Sequence, residues 1–466
     1  MVEILKTSGG VPQKKISLFG LTCLAIGLTI GGGVFVLSGI VGASVGRYLP
    51  WLYGVAAIPM FLAIAPVAAL GTIFPASGGN YFYPSRFLSP LVAFLGIWFF
   101  IITASLGQMP LFCISTAKFL GDFFPISTKI LSFLILTFFY LLNLFGLRFV
   151  VWIQTSMVVL LVLGLLAFIG ISIPTYVPDL PTESEFPGWK RTLYGISLLT
   201  FTYFGSNAVV EFGNETANPG KSLFRAFLLS FPIVTILYIG VAYAVTGYLP
   251  KESHLLSENP VTESAKILFP EFVYSGFILF CPVLALGTSI NGLFLILMSS
   301  SEFVIEDGIF PKFLKRRFFL PSSKPILLTL FFLLPVFGLV SGWNLETLAS
   351  YSTLGWLFLF VPLLIVFLRL EKKIKEEQRI PFPISRKFLR TSAYFGLFFI
   401  LLFIVFLLND LREEGRLFLL PFLFLSGLVY YMIRKRYLLR KYPSEKPFYW
   451  NQDELIKTNF RRNDHE

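Results

Sequence analysis

Residues 17–44 form a single apolar run whose middle, Leu28-Thr29-Ile30-Gly31-Gly32-Gly33-Val34-Phe35, is rich in glycine. About 20 apolar residues suffice for a helix to cross a bilayer, so this run is long enough to span one. Each Gly in a helix interior costs about 1 kcal/mol relative to Ala, and three in succession predict that the helix unwinds there. Unwound backbone at membrane depth persists only where it is buried in protein or lines a cavity. Gly31, Gly32 and Gly33 are therefore expected to turn bare N–H and C=O groups towards a polar partner.

The rest of the chain has the same character. Hydrophobic residues make up 55% of it and charged residues only 14%, against about 25% charged in ordinary globular chains. With 54 Phe as well, this is the composition of an all-α polytopic membrane protein. The net charge of +12 does not point to nucleic acid, because the basic residues sit in short segments between apolar runs, where membrane topology accounts for them. Cys23, Cys113 and Cys281 lie in apolar stretches, and His254 and His465 lie far apart in polar ones. That inventory does not build a zinc site or a His-dependent catalytic centre, so neither an enzyme nor a cofactor is expected. Lys14 and Lys15 precede the first run, which is too long for a cleaved signal and reads as a retained span.

Hydropathy predicts about twelve transmembrane helices, at 17–44, 51–73, 89–118, 129–147, 151–173, 191–213, 223–248, 270–304, 325–341, 346–368, 391–409 and 416–434. With the N-terminus in the cytoplasm, 29 of the 38 Lys and Arg fall on the cytoplasmic side. This bias predicts an even number of spans and both termini inside. The expected division is a cytoplasmic tail at 1–16, a core at 17–368, a basic loop at 369–390, two accessory helices at 391–434 and a basic tail at 435–466. The basic tail reads as a stop-transfer flank, the alternative being contact of its basic run with anionic lipid, and no stretch outside the spans is long enough for an independent core.

Transporters built from inverted repeats bind their solute where one discontinuous helix from each repeat meets its counterpart. If spans 1–5 and 6–10 are such repeats, the sixth span should also be broken. It contains Phe201-Thr202-Tyr203-Phe204-Gly205-Ser206-Asn207, a Gly beside residues that compete for backbone hydrogen bonds. A channel would need a repeated polar face along a span, and none is present.

Several motifs then resemble one family. Gly31-Gly32-Gly33-Val34-Phe35 is similar to the first-span Gly-(Ser/Gly)-Gly-(Val/Ile)-Phe of the amino acid–polyamine–organocation superfamily, the amino acid permeases. Pro75-Ala76-Ser77-Gly78-Gly79-Asn80-Tyr81-Phe82-Tyr83 resembles the element after its second span. Asn214-Glu215-Thr216-Ala217-Asn218-Pro219 resembles the sequence that closes its sixth, with Asn214 in place of the first acid. Asn291-Gly292 and Glu306-Asp307-Gly308-Ile309-Phe310-Pro311 are similar to its eighth-span pattern, although Glu302 replaces an Arg usual there. The matches run in order from residue 17 to about 360.

The resemblance implies a ten-helix, 5+5 inverted-repeat core with discontinuous helices 1 and 6, followed by two C-terminal helices. It implies a secondary transporter that moves an amino acid by alternating access. The first-span amides of Gly31, Gly32 and Gly33 would hold the substrate carboxylate. Carbonyls at Thr29, Phe201 and Phe204 would meet the ammonium. Thr103, Ala104 and Gln108 would face the side chain, with Ser206 and Asn207 nearby. These polar residues are neutral, which points to a neutral amino acid; the alternative is a polyamine or another organic cation. Glu211 is an intramembrane acid and a candidate for coupling. Thr288 and Ser289 could offer oxygens to sodium, and the fifth-span Lys of some proton-coupled relatives would fall at Leu161. Coupling to H+, to Na+ or to exchange stays open at this stage. The expected location is the bacterial inner membrane.

Overall fold

A computed structural model describes residues 15–121, 123–173, 186–248, 260–315, 325–371, 384–413, 415–417 and 419–441. The terminal tails up to residue 14 and from 442, the predicted outer loops at 174–185 and 249–259, and the basic stretches 316–324 and 372–383 lie outside the described residues. Eight helical stretches are long and apolar enough to cross a membrane, and two shorter apolar helices, Thr128–Asn143 and Pro325–Val340, accompany them. Among the described residues the regular structure is all helical apart from two isolated backbone bridges, Ile16 with Thr216 and Ser77 with Phe212.

In the first half, α1 (Leu18–Ile30) is followed by a π-turn at Gly33–Leu37 and by α2 (Ser38–Val45). Then come α3 (Leu49–Ile73), a short α4 (Gly79–Phe87) and α5 (Pro90–Thr103). A π-turn at Ala104–Gln108 joins α5 to α6 (Met109–Leu120), and α7 (Thr128–Asn143) and α8 (Leu147–Ser172) complete the set. The second half repeats the order of an irregular first helix, a short helix and a π-turn. Its first helix, α9 (Trp189–Leu199), changes into a 3-10 helix at Thr200–Glu211, and α10 (Pro219–Tyr248) is followed by the short α11 (Pro260–Leu268). The next helix is again interrupted by a π-turn, at Leu279–Val283 between α12 (Glu271–Ile278) and α13 (Leu284–Glu306). Then come α14 (Pro325–Val340) and α15 (Leu345–Glu371).

Each irregularity has a local cause. Ser17 caps α1 by accepting from the Gly20 N–H at 3.2 Å. The helix ends at Gly31, whose φ of +33° and ψ of −142° suit only a residue without a β-carbon. Pro110 has no N–H to give to the turn before it, which is where the first-half π-turn lies, and Pro282 lies inside the second. Thr200 and Thr202 donate their hydroxyls to the carbonyls of Ser197 and Leu199, at 2.6 and 2.8 Å, and draw the chain into i−3 pairing. Twelve residues of 3-10 helix is long for this geometry, which rarely exceeds about four residues outside hinges and strained sites.

Two further helices, α16 (Arg386–Glu413) and α17 (Leu419–Lys441), pack on the outside of this body. Gly396 lies against the backbone of Ala63, and Phe424 stacks on Phe99 at 4.8 Å. Helix α17 continues to Lys441, past residue 434 where hydropathy alone ends the twelfth span. Up to that point Tyr430 Oη donates to the Ile309 carbonyl (3.0 Å) and Arg434 Nε to that of Gly308 (2.8 Å), and in the extra turns Leu438 lies against Gly308.

Candidate functional site

The first helix, at its break, crosses the 3-10 segment Thr200–Glu211 that continues α9. Gly205 lies so close to the backbone of Leu28 and Thr29 that no side chain would fit there. From the other side, a β-carbon on Gly33 would come within 2.7 Å of Thr202. Gly32 has equally little room, facing the Phe112 ring at 2.5 Å and Leu286 at 2.8 Å from where a β-carbon would stand.

A small, tightly closed cavity lies at this crossing. Of the residues expected from sequence, Thr29, Gly31, Gly32, Gly33, Gln108, Phe201, Phe204 and Ser289 line it. Phe112, Leu293, Ile296 and Trp356 supply most of its apolar wall. Its free space, about 10 Å³, is roughly what one water needs, so a solute fits only once the surrounding side chains move apart. A helix beginning at Gly33 presents amides without intrahelical acceptors and a partial positive charge; the end of α1 presents carbonyls and the opposite sign. Ser289 Oγ is buried beside Gly31 and has no hydrogen-bond partner among the described residues. The break thus sets peptide dipoles of both signs beside an apolar wall, with the Gly31 N–H donating to the Gly27 carbonyl at 3.3 Å and the Thr29 and Ile30 carbonyls facing the Tyr238 hydroxyl.

Other expected residues lie outside the lining. Thr103 donates back to the carbonyls of Phe99 and Phe100 at 2.9 and 3.2 Å and packs against Gly355, and Ala104 is buried in the π-turn. Ser206 bonds the Thr29 hydroxyl at 3.1 Å, which ties the two breaks together from behind. Asn207 donates to Asn80 Oδ1 at 2.8 Å, and Glu211 lies deeper along the same segment. Thr288 bonds the Gly27 carbonyl (3.0 Å), and its own carbonyl accepts from Gln154 Nε2 (3.0 Å). Gln154 continues through Asn291 to Asn143 as a buried run of amides with 2.9 Å steps. Leu161 is buried, but the α8 residues that face Gly27 are Gln154 and Val158.

Three contributors were not foreseen from sequence. The fully buried Tyr238 of α10 turns its hydroxyl towards the carbonyls of Thr29, Ile30 and Thr202, so one O–H serves both breaks. Trp356 stacks on Phe204 at 5.6 Å and donates its indole N–H to Gln108 Oε1 at 3.0 Å. Phe112 closes on Phe201 at 6.1 Å. Their only sequence signal is an aromatic in an apolar helix, which most core positions share.

A helix broken at Gly31 that crosses a 3-10 segment beside a small internal cavity, in an all-helical body with eight long apolar stretches among the described residues, is a setting suited to a transporter of small solutes. Residues 16–429 match the model of the family described as amino acid permease, and the chain belongs to that family, whose members are transporters rather than enzymes. Among similar proteins, the branched-chain amino acid permease BcaP of Bacillus subtilis is 28% identical over 398 residues, covering 79% of this chain and 84% of the relative. The methylthioribose transporter of the same organism is 26% identical with the same coverage of both chains. The chloroplastic cationic amino acid transporter 9 of Arabidopsis thaliana is 28% identical over 56% of this chain and half of its own length.

Proposed function

We propose that the protein is a secondary transporter that carries a neutral α-amino acid across the membrane by alternating access. The observation that carries this reading is the break at Gly31 set against the 3-10 segment Thr200–Glu211, where peptide dipoles of both signs meet a small apolar-walled cavity, an arrangement that suits a zwitterion once the walls part. The substrate carboxylate sits at the amides of Gly31, Gly32 and Gly33, and its ammonium faces carbonyls near Thr29, Phe201 and Phe204. The side chain lies towards Phe112, Leu293, Ile296 and Trp356. None of the described lining residues is acidic, which favours a neutral substrate over a polyamine or other organic cation.

In this reading spans 1–5 and 6–10, within 17–368, are two inverted repeats, with 391–434 as an accessory pair. The recurring order of irregular first helix, short helix and π-turn supports the repeat. The charge bias of the loops supports twelve spans with both termini in the cytoplasm, and a plasma-membrane location follows. The Thr288 hydroxyl already donates to the Gly27 carbonyl, and Gln154 Nε2 to the carbonyl of Thr288 itself, which argues against sodium at that place.

Counterflow into proteoliposomes tests the proposal. Vesicles preloaded with one of twenty L-amino acids are expected to take up its labelled form saturably and in preference to the D-enantiomer. Flux that rises linearly with concentration and ignores chirality would point to a channel instead.

A further inference from the structure

Below the cavity, Glu211 closes the 3-10 segment and is completely buried. Side chains three apart eclipse on a 3-10 helix, so Thr202, Gly205, Ala208 and Glu211 fall on one row. Thr202 and Gly205 line the cavity. At 2.0 Å per residue, Glu211 stands about 12 Å further along that row. Its Oε1 accepts from the backbone N–H of Asn80 at 2.8 Å, and its Oε2 from the Ser300 hydroxyl at 2.6 Å. Asn80 is in the first turn of α4, and Gly78 before it, in the left-handed region (φ +60°), supplies no capping side chain. The Glu211 carboxylate therefore caps α4 from another part of the chain, where the helix favours negative charge.

The other end of α4 is fastened as well. Arg86 grips Asp307 with two bonds, at 2.6 and 2.7 Å, and Tyr81 adds a third at 2.7 Å. Helix α4 is thus a strap drawn across the bundle from the end of the 3-10 segment to the end of α13.

The charged and titratable groups around Glu211 leave its carboxylate without a basic partner. Glu215 follows it on its own segment, and Tyr83 approaches from α4, whose Arg86 is engaged by Asp307. Helix α13 supplies the hydroxyls of Ser299 and Ser300, with Glu302 and Glu306 further along it. Lys221 and Arg225 of α10 are exposed; Lys190 and Arg191 are at the start of α9, and Glu346, Arg369 and Glu371 are at the ends of α15. Helices α1 and α3 contain no Asp, Glu, Lys, Arg or His. A second observation marks the same spot. Asn80 Nδ2 and Asn207 Oδ1, both almost fully buried, have no hydrogen-bond partner among the described residues. They sit between Glu211 and Ser206, which bonds Thr29 at the first break.

We infer that Glu211 is the proton-binding site of this transporter and that its protonation releases the α4 strap, making uptake proton-coupled. This rests on the amino acid transporter reading above. A proton from the external water forms an O–H bond on the carboxylate and cancels the charge that caps α4. On Oε1 it also sets a donor against the Asn80 N–H, so that hydrogen bond is lost. With the strap loosened, the cavity opens inward. The O–H bond then breaks towards cytoplasmic water, and the restored carboxylate caps α4 again.

The test uses full-length protein in sodium-free proteoliposomes, with whichever of twenty L-amino acids gives the strongest counterflow. Absence of counterflow in the wild type would overturn the transporter reading itself, a different failure from those below. For one proton per substrate, an external pH one unit lower should raise wild-type accumulation about tenfold. Substrate addition should also acidify the lumen. Glu211→Gln is expected to exchange substrate without accumulating it under the gradient, whereas Glu211→Asp keeps a titratable group and retains the response. Gradient-driven accumulation in E211Q equal to wild type would overturn the inference. So would a wild type that moves substrate with no lumenal acidification, a measurement that stands even if the Gln variant does not fold.

Discussion

Replacing Gly32 with Leu would put a branched side chain where a β-carbon alone comes within 2.5 Å of the Phe112 ring. Overpacking of this kind costs about 1–3 kcal/mol, which a large helical body can absorb, but the added atoms fill the cavity at the first break. Gly32→Leu is expected to remain monodisperse in size-exclusion chromatography and to lose stabilisation by substrate in a thermal-shift assay. Tyr238 makes a different point, because its hydroxyl supports backbone rather than substrate. Tyr238→Phe leaves the carbonyls of Thr29, Ile30 and Thr202 short of a donor, at a cost of about 1–3 kcal/mol. Substrate affinity, measured by equilibrium binding, should fall by about tenfold, since the bound geometry of both breaks relaxes. The glycines could be read from sequence because Gly changes backbone energetics directly. Tyr238 and Trp356 could not, because only the packing of distant helices aims their polar tips at the site.

At the level of elements, the irregular segments matter most. The first break was legible as Gly31-Gly32-Gly33, and the sixth-span irregularity as a Gly among Thr, Ser and Asn. Their forms were not, since a π-turn and a twelve-residue 3-10 helix depend on side-chain-to-backbone bonds that apolar periodicity does not encode. The third-span position also explains why Thr103 misses the cavity while Gln108 reaches it. Thr103 satisfies its hydroxyl on its own helix against Gly355, whereas Gln108 is held by Trp356. Helix α4, with few apolar residues, looks like a loop in hydropathy, yet its ends are tied by Glu211 and Asp307. Asp307→Asn removes one side of a buried ion pair, which costs about 3–5 kcal/mol. A clear drop in melting temperature in detergent is the expected result; an unchanged midpoint would mean that α4 bears no load.

For the whole molecule, long apolar runs announced an all-helical membrane body without any contact being known, and the described residues give eight long apolar stretches and two shorter apolar helices against the twelve spans expected. What they could not supply is how the halves close on each other, because that depends on residues such as Gly205 and Gly292, whose neighbours Thr29 and Leu28 lie far away in sequence. The orientation has a simple check. A tag on the C-terminus should resist protease in right-side-out vesicles and be removed in inverted ones, and the opposite pattern would reverse the assigned topology.

The central claim is that the two breaks together hold a zwitterion by its charged ends. Equilibrium binding of a neutral L-amino acid, compared with its α-amide, tests this most directly because the amide keeps the side chain and amine but removes the carboxylate. Loss of charge-assisted hydrogen bonds to the first-span amides should weaken the amide by about 100-fold, close to 2.7 kcal/mol. Equal affinity for acid and amide would contradict the account.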